Sequence, residues 1–392
     1  MSLIGSAKRD AHLETLRGLA ALSVLFWHTS LGFFPVLSGI FPGFSLEQSL
    51  RGSLAYGFFN GTAAVGFFFV LSGYVLTRSF FQSGNSVVLY KNAIKRWPRL
   101  AAPVGVVVVL SWAAIEMGFY HFTSVARMTG SPWLFTFGYA SREPFDPDFL
   151  GALSQGFVTT FFRGDATYDS SIWSMKFEMI GSFISFALAM MLAIAPNLAL
   201  RLYISAVVIV AASFAKQYWY IAFVGGVMLA ATLPRKPVQI PAWLSAIGIA
   251  FAMYLAGYSD TDIGVFHPLY LVAGQLPEIT VWTLGSLILI LAISLNDSIR
   301  TAFSGRVGRF LGWISFPLYL IHVPLICSFG CSAFLVARDQ LGQDLAPAVA
   351  AIAVISMAIL AAIPLALASD WWLRLLNRVT ELAVPPPTRM SS

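Results

Sequence analysis

The sequence predicts an all-α protein: a polytopic membrane helical bundle of about 10 transmembrane helices, with both termini cytoplasmic. Charged residues make up only 11% of the 392-residue chain, whereas soluble proteins contain about 25%. The mean hydropathy is +0.76, and apolar stretches long enough to cross a bilayer recur along the whole length. This composition leaves no room for a large soluble domain. Residues 1–380 are therefore predicted to form one membrane domain, with a short cytoplasmic tail at 381–392.

Ten predicted spans account for the apolar stretches. They cover residues 13–33, 56–78, 100–120, 173–195, 202–215, 219–233, 242–258, 278–296, 311–332 and 345–368. Sixteen lysines and arginines fall in segments on the side of the N-terminus and six on the other side, with Arg17 and Lys176 inside spans. Cytoplasmic loops are enriched in basic residues, so both termini are predicted to be cytoplasmic. This bias explains the net charge of +6 and favours the lipid bilayer, not nucleic acid, as the partner.

The first span carries two ionisable residues on one face. Arg17 and His28 are eleven residues apart, which is three helical turns plus about 20° and roughly 16 Å along the axis. An ionisable group inside a membrane helix costs about 2.5 kcal/mol or more. Either residue alone could be idle, Arg17 by extending to the surface and His28 by bonding a neighbouring helix. Two on one face indicate a buried polar path.

The fourth and ninth spans carry further polar stripes. Ser174, Glu178, Gly181, Ser182 and Ser185 share one face of the fourth span, which permits close helix contact. Glu178 is expected at the depth of His28, where it either orients that histidine or serves as a structural partner. In the ninth span Ser315, Tyr319 and His322 share a face. His322 is either a second polar group of the same cavity or a structural partner.

Two segments outside the spans could also contribute to a site. A basic cluster formed by Lys91, Lys95, Arg96 and Arg99 is predicted as a cytoplasmic loop that leads into the third span. It suits either lipid headgroups or the phosphates of a cofactor. The long outer stretch 121–172 is either a functional lid or a disordered spacer, and its aromatic residues favour order. Its pieces 131–139 and 149–162 are apolar enough to lie at the membrane interface.

Several classes of protein lack support in the sequence. No phosphate-binding Walker loop, dinucleotide fingerprint, zinc-binding His-Glu-x-x-His helix or Gly-x-Ser-x-Gly hydrolase motif occurs. Cys327 and Cys331 fit packing in an apolar helix better than a disulfide or a metal site. No metal is therefore expected.

Four segments together resemble the acyltransferase 3 family of integral membrane O-acyltransferases. They are Leu13 to His28 with its Arg-x10-His spacing, Val65 to Tyr74 with Phe68-Phe-Val-Leu-Ser-Gly73, Trp173 to Glu178, and Ile314 to Pro324. The basic stretch Arg96-Trp-Pro-Arg99-Leu is also similar to one that precedes the family's third span. The likeness covers nearly the whole chain in the family's order. It departs at Gly66, where many members have Asp, and after Leu100, where Tyr-Pro is more usual.

The resemblance implies an acyl-CoA donor, with acetyl-CoA expected, on the cytoplasmic side and a hydroxyl acceptor on the outer side. His28 matches the essential histidine of the family and Arg17 its paired arginine, while Glu178 and His322 fall on similar motif positions. Arg17, Lys95, Arg96 and Arg99 would bind the donor, and Ser72, Tyr319 and His322 would line the cavity. The acceptor would be an exported glycan, a glycolipid or a secreted small molecule, in some cases reached through a separate acceptor-side protein.

The sequence is compatible with two chemical roles for His28. The imidazole either takes the proton of the acceptor hydroxyl as a general base or carries the acyl group transiently. Two rival functions also stay open: a transporter or channel that uses the Arg17–His28 face as a path, and an acyl-relay subunit without acceptor chemistry of its own. Transporters commonly show inverted repeats, which this chain lacks at the level of its sequence.

Overall fold

A computed structural model describes residues 11–41, 44, 46–137, 146–233 and 238–383. These residues are mainly α-helical, and no β-strand occurs among them. Each predicted span overlaps one longer helix, so the all-α architecture is confirmed. The helices α1 to α10 are, in order, Ala11–Phe33, Gly61–Ser83, Val87–Glu116, Ser174–Ile194, Leu198–Phe214, Tyr220–Thr232, Ala242–Ala256, Glu278–Ser294, Arg306–Leu325 and Ala346–Ala383.

The membrane character of the bundle rests on its longest apolar helices. Among the described residues, five helical stretches are long and apolar enough to cross a membrane. The number is six if a bent pair, His267–Ala273 with its preceding turn and α8, counts as one span. Helices α5, α6 and α7 are apolar but shorter. The protein is thus a multi-pass membrane protein, whereas ten crossings and cytoplasmic termini remain predictions.

Helix α1 lies inside the bundle and packs most extensively against α9. Two glycines allow their backbones to approach closely. A Cβ atom at Gly18 would lie 2.5 Å from the backbone carbonyl carbon of Leu311, and one at Gly312 would collide with the backbone of Glu14. Only hydrogen fits in these positions, as in other membrane helix contacts built on small residues. This contact fixes the polar faces of α1 and α9 against each other.

The basic cluster is helical, which corrects its prediction as a loop. Helix α3 begins at Val87 and runs through Lys91, Lys95, Arg96 and Arg99 without interruption. The loop prediction followed from the dense cluster of basic residues before the third predicted span. However, the buried face of this segment, with Leu89, Arg96 and Leu100, packs on the bundle and maintains the helix. The basic side chains therefore have fixed positions along one helix.

The long segment between α3 and α4 is ordered wherever the structure describes it. It forms short helices at Phe122–Thr129, Pro132–Phe135, Phe149–Ser154 and Thr160–Phe162, with a π-helical turn at Gln155–Thr159. The predicted apolar piece 149–162 is thus helical, and part of the piece 131–139 lies outside the described residues. Ser131 ties this segment to α1, because its hydroxyl donates to the carbonyl of Leu31 at 2.5 Å. The segment therefore packs over one end of α1.

Candidate active site

Two histidines from different helices meet at one end of the bundle. His28 lies on α1 and His322 on α9, and His28 Nδ1 is 2.9 Å from His322 Nε2. Their ring centroids are 4.9 Å apart. His322 is almost completely buried, and His28 is half-buried. The sequence had placed His322 in the cavity of His28 or in a structural role, and the structure makes it the direct partner of His28.

Hydrogen bonding defines the tautomers of the neutral pair. His322 Nδ1 lies 2.6 Å from the backbone carbonyl oxygen of Tyr319. A carbonyl oxygen can only accept, so His322 Nδ1 carries the proton and His322 Nε2 is an acceptor. His28 Nδ1 must then donate to His322 Nε2. This arrangement leaves Nε2 of His28 unprotonated, with its lone pair available.

The ring of Trp133 stacks on His28. The two ring centroids are 5.3 Å apart with planes 30° apart, and Trp133 comes from the short helix Pro132–Phe135 between α3 and α4. Ser131 caps that helix by accepting from the backbone N–H of Leu134. Sequence reasoning missed Trp133, although Ser131 followed by a proline is a recognisable helix-start signal. The indole covers one face of the catalytic candidate and restricts its orientation.

A buried carboxyl group continues the polar network behind His322. One carboxylate oxygen of Asp169 accepts from the hydroxyl of Ser171 at 2.8 Å, and that hydroxyl is 3.4 Å from the Tyr319 carbonyl oxygen. The Tyr319 hydroxyl donates to the Ser171 carbonyl at 2.7 Å. Oδ2 of Asp169 is buried and has no partner among the described residues. Burial raises the pKa of Asp169 to about 7.

Asp169 was also missed by the sequence analysis as a site residue. Its signal was the 3-10 turn Ser170–Trp173 that precedes α4, since an Asp two residues before a Ser commonly accepts from the backbone N–H of that residue. Tyr319, predicted as a cavity residue, links Asp169 and Ser171 to the histidine pair through its backbone carbonyl. Its hydroxyl is 2.8 Å from the hydroxyl of Ser174 on α4.

Arg17 also lies at the contact between α1 and α9, called here the α1–α9 seam, and it binds polar groups of α9. Its Nε donates to the hydroxyl of Ser315 at 2.8 Å, and one terminal nitrogen donates to the carbonyl of Gly312 at 2.6 Å. The same nitrogen pairs with Glu14 at 2.7 Å. The predicted polar face of α9 is confirmed in these contacts, because Ser315 meets Arg17 while His322 meets His28. Arg17 is held by the bundle instead of extending freely to the surface.

Glu178 does not contact His28, which corrects the expectation that it orients that histidine. Its carboxylate forms a salt bridge with Arg96 of α3 and accepts from the Ser72 hydroxyl of α2 at 2.5 Å. The error arose because depth along α4 says nothing about which neighbouring helix the side chain meets. Glu178 and Arg96 are both largely buried. Their pair is neutral and hydrogen-bonded, as buried charges in a membrane require.

Arg96 also borders a basic cavity of about 230 Å³ at the opposite end of the bundle. Its walls are formed by Leu76, Asn92, Lys95, Arg96, Arg99, Leu373 and Asn377. Lys95 donates to the side-chain oxygen of Asn377 on α10 at 2.9 Å. Arg99 has an exposed side chain in this wall, within electrostatic range of Arg17, Arg96, Glu14 and Glu178. With Lys95, these groups leave a positive excess suited to an anion.

The distance between the two ends of the bundle can be measured along helix α2. Leu76 lines the basic cavity, whereas Thr62 lines a second cavity beside Trp27, the residue that precedes His28. These two positions are fourteen residues apart on α2, or roughly 21 Å at 1.5 Å per residue. The molecule thus combines a basic cavity at one end with a paired histidine at the other. The molecule is a helical membrane protein with polar sites at both ends of its bundle.

Comparison with protein families resolves that class further. The model of the acyltransferase 3 family, described as an acyltransferase domain, matches residues 10–368. The chain belongs to this family of membrane acyltransferases. No curated protein and no solved structure matches the chain. The family resemblance predicted from the sequence motifs is therefore confirmed.

Proposed function

We propose that this protein is a membrane O-acyltransferase that moves an acetyl group from cytoplasmic acetyl-CoA to a hydroxyl group of an exported glycan, glycolipid or secreted small molecule. The observation that carries this proposal is the hydrogen-bonded pair of His28 and His322, which leaves Nε2 of His28 as an unprotonated nitrogen. Family membership supports acyl transfer in general. The arrangement of the site supports the direction and the residues of the reaction.

His28 acts as the general base in the proposed reaction. Its Nε2 takes the proton of the acceptor hydroxyl while the hydroxyl oxygen bonds to the thioester carbonyl carbon. The carbon–sulfur bond then breaks, and His28 returns the proton to the departing thiolate. The products are the ester and free coenzyme A, so atoms and charge balance. Positioned general bases typically contribute about 10²–10⁴-fold to the rate.

His322 keeps His28 ready for this proton transfer. The Tyr319 carbonyl holds the His322 tautomer, and His322 accepts the Nδ1 proton of His28. When His28 gains a proton at Nε2, the same contact stabilises the cation that forms. Trp133 stacks on the ring and limits its rotation. Together these three partners orient one nitrogen of His28 toward a reacting hydroxyl.

The basic cavity suits the phosphates of the donor. Arg96, Arg99 and Lys95 line it, and guanidinium groups pair with phosphate oxygens through two parallel hydrogen bonds. Acetyl-CoA, when bound, supplies an acyl group already activated as a thioester. With cytoplasmic termini, as the distribution of basic residues predicts, this cavity faces the cytoplasm where that donor is made.

Arg17 is proposed to guide the donor between the two ends. It lies on the His28 face of α1, and its contacts with Ser315 and Gly312 fix the guanidinium in the α1–α9 seam. Its proximity to Arg99 extends the positive potential of the basic cavity toward the histidines. A polar arm that carries the acyl group could pair with Arg17 without meeting the lipid.

The test is an acetyl-transfer assay on membranes that contain equal amounts of the protein and its variants. His28→Ala and Arg17→Ala are both expected to lose most transfer, whereas Asp339→Asn, a change at an exposed carboxylate, serves as the matched control. Purified wild-type protein should also be stabilised against heat by acetyl-CoA, because a ligand that binds only the folded state raises its stability. Near-normal transfer in both His28→Ala and Arg17→Ala would overturn the proposal.

A further inference from the structure

The cavity beside Trp27 has the lining of a binding site for a polar ligand. It is a half-open cavity of about 230 Å³, formed by residues of α1, α2, α8 and two connecting segments. It lies at the His28 end of the bundle, since Trp27 and His28 are consecutive residues of α1. None of the contacts described for the histidine pair or the basic cavity uses this lining.

The first observation is the presence of buried polar atoms without partners. Ser259 lines the cavity and is only 4% exposed, and its hydroxyl has no hydrogen-bond partner among the described residues. Nε of Arg51 in the same lining is also buried and unpartnered. Buried polar groups in native proteins are nearly always hydrogen-bonded, so each such group requires a ligand, a water molecule or an explanation.

The second observation is the chemistry of the remaining wall. Asp260 and Glu278 supply carboxylate acceptors, and Arg51 supplies guanidinium donors. Glu278 accepts from the backbone N–H of Asp260 at 2.9 Å, and Arg51 donates to the hydroxyl of Thr261 at 3.0 Å. These contacts fix the charged groups but leave hydrogen-bonding capacity on each side chain. The wall can thus both donate to and accept from one ligand.

The third observation is the aromatic part of the lining. Three aromatic residues line the cavity: Trp27, Tyr56 and Trp282. Each of them is almost completely buried. Trp27 and Tyr56 pack edge to face with ring centroids 5.8 Å apart. The Trp282 indole N–H donates to the Tyr258 carbonyl at 3.0 Å, which fixes that ring. Flat, rigid rings beside hydrogen-bonding groups suit a ligand with an apolar face and a polar edge.

We propose that this cavity, at the His28 end of the bundle, binds one sugar ring of the acceptor. A sugar ring carries hydroxyls that both donate and accept, and its C–H face packs on aromatic rings. An aliphatic chain would leave the charged wall unpaired, which is unfavourable. A bare metal ion does not suit a wall that includes Arg51, and no group of three metal-ligating side chains occurs among the described residues. The identification of the ligand as acceptor rests on the proposed acyl transfer.

Binding can be measured separately from transfer. Purified protein in lipid nanodiscs is examined by saturation-transfer NMR with methyl glucoside and N-acetylglucosamine as probes and cyclohexanol as the apolar ring control. Glu278→Gln is expected to weaken binding of the better sugar about tenfold, which is the loss of one charge-assisted hydrogen bond. The matched control is Asp262→Asn, a carboxylate of the same segment that pairs with the exposed His267.

A second variant guards against misfolding. Ser259→Ala removes an unpartnered hydroxyl, so the unliganded protein should be as stable as the wild type or more stable, while sugar binding weakens. His28→Ala should lose acetyl transfer but keep sugar binding. Sugar binding without any acetyl transfer in the wild type would refute the proposed function and leave the ligand class of the cavity intact. Absence of binding by both sugars, or unchanged binding in both Glu278→Gln and Ser259→Ala, would overturn this inference.

Discussion

Nδ1 of His28 lies 2.9 Å from Nε2 of His322, and the second histidine is itself fixed by the carbonyl of Tyr319. The proton positions on both rings follow from one carbonyl oxygen that can only accept. The Tyr319 carbonyl thus determines the proton position on His322, and His322 in turn determines which nitrogen of His28 is unprotonated. In the proposed reaction His322 is a positioning residue, because it acts through its contact with His28.

Replacing His322 tests this positioning role. His322→Leu removes the acceptor for His28, and kcat for acetyl transfer is expected to fall about 10–100-fold, as for the loss of one buried hydrogen bond. The KM for acetyl-CoA should change little. His322→Gln can still accept through its side-chain oxygen and should recover part of the rate. Equal losses of rate in the Leu and Gln variants would contradict the tautomer argument.

The salt bridge between Arg96 and Glu178 should be sensitive to the loss of one partner. Removing one member of a buried ion pair typically destabilises by about 3–5 kcal/mol, since the other charge stays buried without compensation. Arg96→Met is therefore expected to lower the thermal stability of the detergent-solubilised protein strongly. Adding Glu178→Leu should restore much of that stability. If the double variant is no more stable than Arg96→Met, the pair is not the cause of the loss.

The close contact of α1 with α9 gives a third prediction. Gly312→Ala places a methyl group against the backbone of Glu14 and should push α9 away from Arg17. Both thermal stability and acetyl transfer are expected to fall. Gly305→Ala is the matched control, because a Cβ atom there lies 3.8 Å from its nearest neighbour, in ordinary contact. Similar behaviour of the two alanine variants would show that close approach of the helices is not required.

Asp169 should make stability depend on pH. Its pKa is raised by burial to about 7, above the value of about 3.9 in unfolded chains. The folded state therefore binds this proton more tightly, and the contribution to stability is fully present below about pH 4 and is lost as pH rises through about 7. Asp169→Asn keeps a neutral side chain, so the melting temperature should fall less between pH 5 and pH 8 than in the wild type. An identical fall in both proteins would remove Asp169 as the cause.

The sequence predicted the helices well because their apolar stretches are long and repeat along the chain. It also predicted the face of α9 that carries Ser315, Tyr319 and His322, since helical periodicity fixes which residues point together. That face meets α1 in the structure, with Ser315 at Arg17 and His322 at His28. The resemblance to the family supplied the roles expected of these residues.

The same reasoning from helical periodicity could not predict which helices contact each other. Glu178 lies on the predicted polar stripe of α4, yet it bonds Arg96 and Ser72. Periodicity describes one helix at a time and does not fix which neighbour a face meets. Trp133 and Asp169 lie in a segment of short helices without a sustained repeat. Their positions depend on tertiary contacts such as the hydrogen bond from Ser131 to Leu31.

The buried pair of Arg96 and Glu178 has a consequence for the leakage of ions across the membrane. Ser72, which binds Glu178, lies on α2 between Thr62 and Leu76, the residues that line the two end cavities. Because the two charges compensate each other in this largely buried pair, neither group is a free carrier for a proton or a sodium ion at this level of the bundle. A bilayer that contains this bundle is therefore expected to hold its ion gradients during the proposed acyl transfer.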